Sequence, residues 1–177
     1  DFGGFVGIML LSEGGKVTLE NGFGTKVPQR MVRARTPSNF LPGDSWRWAS
    51  VTKQISATIA MQDVAAGRLD LDAPITRYLS GFKGPTGNRI TMGMLLGHTS
   101  GLPDSNAGDG AAFRLGARVL PDAVCAGAVR DQPGKSFNYD NCDYIIAGRV
   151  LEVVNRKPST QLLTERITKA LGMTSVR

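Results

Sequence analysis

Trp48-Ala49-Ser50-Val51-Thr52-Lys53 sets a hydroxyl and an amine three positions apart where a long apolar helix begins. Positions three apart share one face of a helix, so the Lys53 amine can reach the proton on Ser50. From Ser50 onward, Val51, Ile55, Ile59, Ala60, Met61, Val64 and Ala65 leave almost no polar face. That pattern predicts a buried helix at the centre of its domain, stopped near Gly67. A serine hydroxyl is a poor nucleophile until a base takes its proton. A lysine serves as that base only when neutral, and both burial and the positive end of the helix dipole favour the neutral amine. The same dipole favours negative charge developing at Ser50.

A second polar cluster, Tyr139-Asp140-Asn141, follows a Pro133-Gly134 turn and stands at the entry to another predicted helix. Together the two clusters point to a serine hydrolase that works without histidine. The bland readings are a helix cap for Ser50 or Asn141, a surface cation for Lys53 and a core aromatic for Tyr139. The lone histidine, His98, reads as a structural loop residue. Gly97-His98-Thr99-Ser100-Gly101 is not a G-x-S-x-G elbow, because its serine falls one position late.

Outward from these clusters, residues 5–12 read as a strand, Glu13-Gly14-Gly15-Lys16 as a turn and 17–23 as the returning strand of a hairpin. Residues 25–44 read as an irregular connection. Short helices are expected up to Leu79 and from a Thr91 cap to Leu96. Residues 101–112 read as an exposed loop and 121–129 as helical. A strong helix covers 142–154, and a last one, capped by Ser159, stops at Gly172. These elements give two regions: 1–44, a hairpin belonging to a sheet, and 45–177, the nucleophile helix with a mainly helical region.

The 177 residues suffice for one domain or slightly more, and 41% of them are hydrophobic, enough for a packed core. No run of about twenty apolar residues is present, so no membrane span is expected. The net charge is +6, with the basic residues dispersed. Without an aromatic-interleaved basic stripe, nucleic acid is not an expected partner. The charge suits a soluble surface, or a mild attraction for anionic substrates or polymers. Cys125 and Cys142 match no zinc spacing. Buried free thiols are the default for them, with a disulfide left open. One histidine with no cysteine pair gives no protein-built zinc site.

Four collinear segments resemble the serine β-lactamase and penicillin-binding protein superfamily, whose nucleophile motif is S-x-x-K. They are Trp48–Lys53, Leu69-Asp70-Leu71-Asp72-Ala73-Pro74, Leu95-Leu96-Gly97-His98-Thr99-Ser100-Gly101-Leu102-Pro103, and Pro133-Gly134 with Tyr139-Asp140-Asn141. A tyrosine opening the last motif is similar to the class C β-lactamase branch with its D-Ala-D-Ala peptidases and esterases. The resemblance implies an α+β, β-lactamase/transpeptidase-like fold. It implies that Ser50 is acylated, that Lys53 assists proton transfer, and that Tyr139 is base or relay. Asn141 would bind the substrate amide or Lys53. Whether Lys53 or Tyr139 is the base stays open. Asp140 replaces the small residue expected there and is expected to point outward. Substrates would be β-lactams, D-Ala peptides or small esters, with no metal or organic cofactor and a periplasmic or secreted setting.

The family's third motif, K/H-S/T-G on a strand that supplies an oxyanion donor, is not found after Tyr139. The resemblance therefore covers an incomplete fold, its amino-terminal part, and a complementary carboxy-terminal chain or segment is the expected partner. The rival reading is a catalytically silent binding or regulatory module on the same scaffold.

Overall fold

A computed structural model describes residues 7–23, 48–80, 82, 88–104, 125 and 129–176, in two units, one within Asp1–Arg47 and one within Trp48–Arg177. Residues 25–44, most of the expected helix over 121–129 and most of the loop over 101–112 lie outside the described residues.

In the first unit, β1 (Gly7–Glu13) and β2 (Lys16–Phe23) form the expected antiparallel hairpin. Gly14 and Gly15 take φ of 55° and 78°, the left-handed pair that a tight hairpin turn requires and that glycine adopts without steric cost. The register slips by one residue between Leu11, opposite Leu19, and Ser12, opposite Val17. The extra residue, Thr18, donates its hydroxyl to the Leu11 carbonyl at 3.4 Å, as at a β-bulge. Leu10, Leu11 and Val17 are more than half exposed.

The second unit is helical among the described residues. A 3₁₀ turn, Ala49–Val51, leads into α1 (Thr52–Ala65). α1 ends where predicted: Gly67 turns left-handed at φ 68°, and Arg68 N–H returns to the Asp63 carbonyl at 2.9 Å, satisfying a last-turn acceptor. α2 (Met92–Leu96) is capped by the Thr91 hydroxyl, which accepts the Met94 N–H at 3.3 Å. α3 (Cys142–Asn155) is the strong helix of the sequence. α4 (Ser159–Leu163) runs on into a π-helical turn, Thr164–Thr168. Both α1 and α2 pack on α3, around a core of fully buried Ile75, Leu95, Ile146, Val150 and Leu162.

Four expectations need correction. α1 is not buried all round. Ile59, Ala60 and Asp63 are buried, while Val51 and Met61 are about half exposed, because α3 and α4 cover one side of the helix. Ser159 opens α4 but does not cap it; its N–H is taken by the Glu152 carboxylate at 3.0 Å. Gly101 and Leu102 are buried, not exposed. A Cβ at Gly101 would stand 2.1 Å from the Asp131 carbonyl oxygen, so only glycine fits.

The fourth correction concerns the cysteines. Cys125 and Cys142, both fully buried, form a disulfide with a Cα–Cα distance of 5.5 Å. The bridge spans 17 positions in sequence, a loop for which closure contributes about 3 kcal/mol. Replacing both cysteines by serine is expected to lower the unfolding free energy by about that amount, read as a fall in the urea midpoint. A thiol reductant should reproduce the fall in the natural protein and leave the double variant unchanged.

Candidate active site

Ala49 takes φ 44°, a left-handed conformation uncommon for a residue with a Cβ. Around it the turn is tight: Val51 N–H donates to the Trp48 carbonyl at 2.9 Å, and the Thr52 hydroxyl to the Ala49 carbonyl at 2.6 Å. Ser50, next in the chain, is exposed and caps no helix. One turn on, Lys53 donates from Nζ to Ser50 Oγ at 3.2 Å and to Asn141 Oδ1 at 3.0 Å. The Tyr139 hydroxyl meets Ser50 Oγ at 2.6 Å. Thus all four residues singled out in the sequence meet at one place, although Tyr139 is 89 positions from Ser50.

What carries Tyr139 there is a strap over 134–138. Gly134, left-handed at φ 83°, donates its N–H to the Thr99 carbonyl at 2.8 Å, and Asn138 N–H donates to the His98 carbonyl at 2.8 Å. Asp140, expected to point outward, is buried. Its Oδ1 accepts the Asp143 N–H at 2.7 Å and so does the capping work at the start of α3. Asn141 holds the N-cap position without using its side chain as a cap. That side chain is turned to Lys53 and to Asp104, whose Oδ1 accepts from Asn141 N at 3.3 Å and Nδ2 at 3.5 Å. Asp104 was not anticipated. It lies in a loop, and no short-range pattern announces a contact with Asn141.

The electrostatics favour proton transfer at Tyr139. Hydrogen bonding to Lys53 and then to Ser50 holds the phenol below its ordinary value, with nearby Lys53 charge acting in the same direction and Asp104 opposing it. Lys53 Nζ also sits 4.8 Å from the Tyr139 ring centre and 5.5 Å from that of Tyr144, within cation–π range. Beneath the tyrosine, His98, Asp140 and Asp143 bring donor atoms within 4.8 Å of one another. Hydrogen bonds among themselves and with Ser100 account for these contacts.

A protein-family model described as Beta-lactamase matches residues 3–177. The chain belongs to the β-lactamase family. It is 26% identical over 170 residues to Protein flp of Staphylococcus aureus (strain MW2), covering 93% of this chain and 33% of that protein. Among solved structures, a D-stereospecific amidohydrolase from Streptomyces sp. is 32% identical, with a TM-score of 0.62 over 70% of this chain and 41% of that one. A D-amino acid amidase from Ochrobactrum anthropi SV3, solved with L-phenylalanine amide, is 29% identical with a TM-score of 0.64 over 76% of this chain and 38% of that one. The chain thus spans about a third of the length of the curated relatives it matches. The fold is the expected α+β one in part: a two-stranded sheet and helices among the described residues. No helix among them is long and apolar enough to cross a membrane.

Proposed function

We propose that Ser50 is the nucleophile of an acyl-transfer hydrolase. The observation behind this reading is the convergence of Tyr139 and Lys53 on one oxygen, at 2.6 and 3.2 Å from Ser50 Oγ. Tyr139, as phenolate, takes the Ser50 proton while Lys53 balances its charge. Ser50 Oγ bonds to the substrate carbonyl carbon. As the tetrahedral adduct collapses, the bond to the leaving amine or alcohol breaks and Tyr139 returns the proton to that group. Water then repeats the sequence on the ester, giving a carboxylic acid and free Ser50. Asn141, held by Lys53, offers its amide to the substrate. The first-turn N–H groups lie at the helix end that favours the oxyanion. A second oxyanion donor would come from a complementary carboxy-terminal segment.

Asp104 supports one substrate class over the others. An acidic side chain beside Asn141 attracts an ammonium group and repels a carboxylate. This favours amides that carry a free amine, in line with the amidases similar to this chain, over β-lactams and D-Ala-ending peptides. Asp104→Asn keeps the acceptor for Asn141 and removes the charge. Its selectivity for an amino-acid amide over a neutral nitrophenyl ester is expected to fall about tenfold, measured as the ratio of kcat/KM values.

The test of the main reading is a labelled fluorophosphonate applied to the natural full-length protein, followed by peptide mapping. An adduct on Ser50, with turnover of an amide or ester, supports it. Folded protein that gives no adduct and no turnover overturns it in favour of a silent module.

A further inference from the structure

His98 occupies a left-handed backbone position. It follows α2 with φ 55°, its N–H reaching the Leu95 carbonyl at 3.3 Å. Glycine enters this left-handed region most readily, and asparagine, aspartate and histidine are the most frequent of the other residues there. The backbone thus tolerates a histidine, and the side chain gives it a role. The ring is buried, with its centre 4.6 Å from that of Tyr139, 5.2 Å from Tyr144 and 5.9 Å, edge-on, from Phe137. It forms a floor under the segment that delivers the Tyr139 hydroxyl to Ser50.

The polar edge of the ring is as closely engaged. Nδ1 lies 3.2 Å from Asp143 Oδ2, and the Asp140 N–H points at the same nitrogen from 3.5 Å. One nitrogen cannot donate to a carboxylate and accept an N–H together. Both contacts are satisfied when Asp143 carries the proton and donates it to an unprotonated Nδ1. The other Asp143 oxygen then accepts the Ser100 hydroxyl, which in turn accepts the Leu102 N–H at 3.0 Å. This assignment leaves the His98–Asp143 pair neutral, as burial favours.

We infer that His98 is a positioning residue of the site, sharing one buried proton with Asp143 so that a neutral ring, hydrogen-bonded at Nδ1, holds Tyr139 against Ser50. The inference rests on the reading of Ser50 as nucleophile. Burial pushes Asp143 up to about 8, aided by the charge of Asp140 and opposed by the Ser100 hydrogen bond. Burial holds His98 below its ordinary value, with Asp140 opposing and Lys53 reinforcing. Both directions put the proton on the carboxyl. The charged and titratable groups facing the ring are Asp143, Asp140, Tyr139 and Tyr144 from the 139–144 segment and Lys53 from α1. Asp104 acts more remotely, through Asp140. Above the Asp143 midpoint a carboxylate is left under the tyrosines, and its charge opposes the phenolate that proton transfer needs.

Two measurements on the full-length protein test this. Nitrogen-15 NMR of His98, assigned by its loss in His98→Asn, should show a neutral ring with the proton on Nε2 at pH 7. The signal should shift with a midpoint near 8, and Asp143→Asn should abolish that shift. In parallel, the rate of Ser50 labelling by a fluorophosphonate is followed against pH. The wild-type rate should decline above the same midpoint, and Asp143→Asn should lose the decline. His98→Ala should lower kcat about a hundredfold with KM little changed, the cost of a misplaced catalytic group. His98→Asn tolerates the backbone and retains a polar atom toward Asp143 but lacks the ring that packs on Tyr139, so it should fold and still lose most of the rate. An imidazolium at pH 7 would overturn the inference, as would a folded His98→Ala with the wild-type rate and pH profile. Should His98→Ala not fold, NMR and Asp143→Asn still decide. A shared proton seen by NMR without any Ser50 labelling would refute the hydrolase reading and leave the buried pair standing.

Discussion

Ser50→Ala is expected to eliminate acyl-enzyme formation and to lower turnover by about 10⁴-fold or more. No other group at the site can replace the alcohol that Tyr139 and Lys53 both address. The fold should be untouched. Ser50 is exposed, caps nothing, and leaves Lys53 still bonded to Asn141, so the stability change should stay within about 0.5 kcal/mol. Intact mass after fluorophosphonate treatment and a urea titration separate the two effects. Tyr139→Phe should lose less, about 10²- to 10⁴-fold, the usual worth of a positioned acid–base group. The pH dependence has a definite sign. With its phenol held below the ordinary value by Lys53 and Ser50, the base form gains population at lower pH than in a free tyrosine. The rate therefore climbs as pH rises through that depressed value, and Tyr139→Phe abolishes this limb.

The largest loss of stability is expected at Asp63. Its side chain is fully buried at the end of α1. One carboxylate oxygen accepts from Arg68 at 2.6 and 2.9 Å and from Arg166 at 2.7 Å, and the other accepts from Asn155 at 2.6 Å. Arg166 also donates to Asn155. The cluster joins α1, α3 and the π-helical turn. Asp63→Ala strands Arg166 and Asn155 in a partly buried place, and breaking such a pair costs about 3–5 kcal/mol. The lower half of that range is expected, because Arg68 is 44% exposed and regains water. Chemical denaturation measures it. A loss under about 1 kcal/mol would show that these contacts are peripheral to stability.

Asp63 and Asp143 act oppositely with pH. Burial pushes Asp63 up, but the bonds from Asn155, Arg166 and Arg68 outweigh it and hold the group below its ordinary 3.8. Its contribution is present above 3.8 and is lost as pH falls through the depressed value. Asp143 is raised from 3.8 to about 8. Its contribution is complete below 3.8 and is lost progressively as pH rises from 3.8 through about 8. Together they place the stability maximum on the acidic side, near 3.8, with a decline toward about 8, readable as a dome in Tm against pH.

Much of this was visible in the residues because it depends on short-range rules. The Gly14-Gly15 turn fixes the hairpin, Gly67 stops α1, and Thr91 caps α2. The i, i+3 spacing of Ser50 and Lys53 survives any packing of the helix. The arrival of Tyr139 and Asn141 was legible only through the order of four segments that resemble a family, since no periodicity joins positions so far apart. Other features depend on what lies across the fold. Asp140 looked solvent-facing because a lone acid usually is, yet it caps α3 from a buried place. An apolar α1 reports what the helix could bury, not which side is covered. The Asp63 cluster left one faint trace, the single acidic residue of α1.

The disulfide has a topological consequence for the site. Tyr139, Asp140 and Asn141 all lie inside the covalent ring that Cys125 and Cys142 close. A protease that nicks the backbone anywhere inside that ring opens it without parting the pieces. The cut halves would migrate apart on an electrophoresis gel only after reduction, and Asn141 would still be tethered one residue from its anchor.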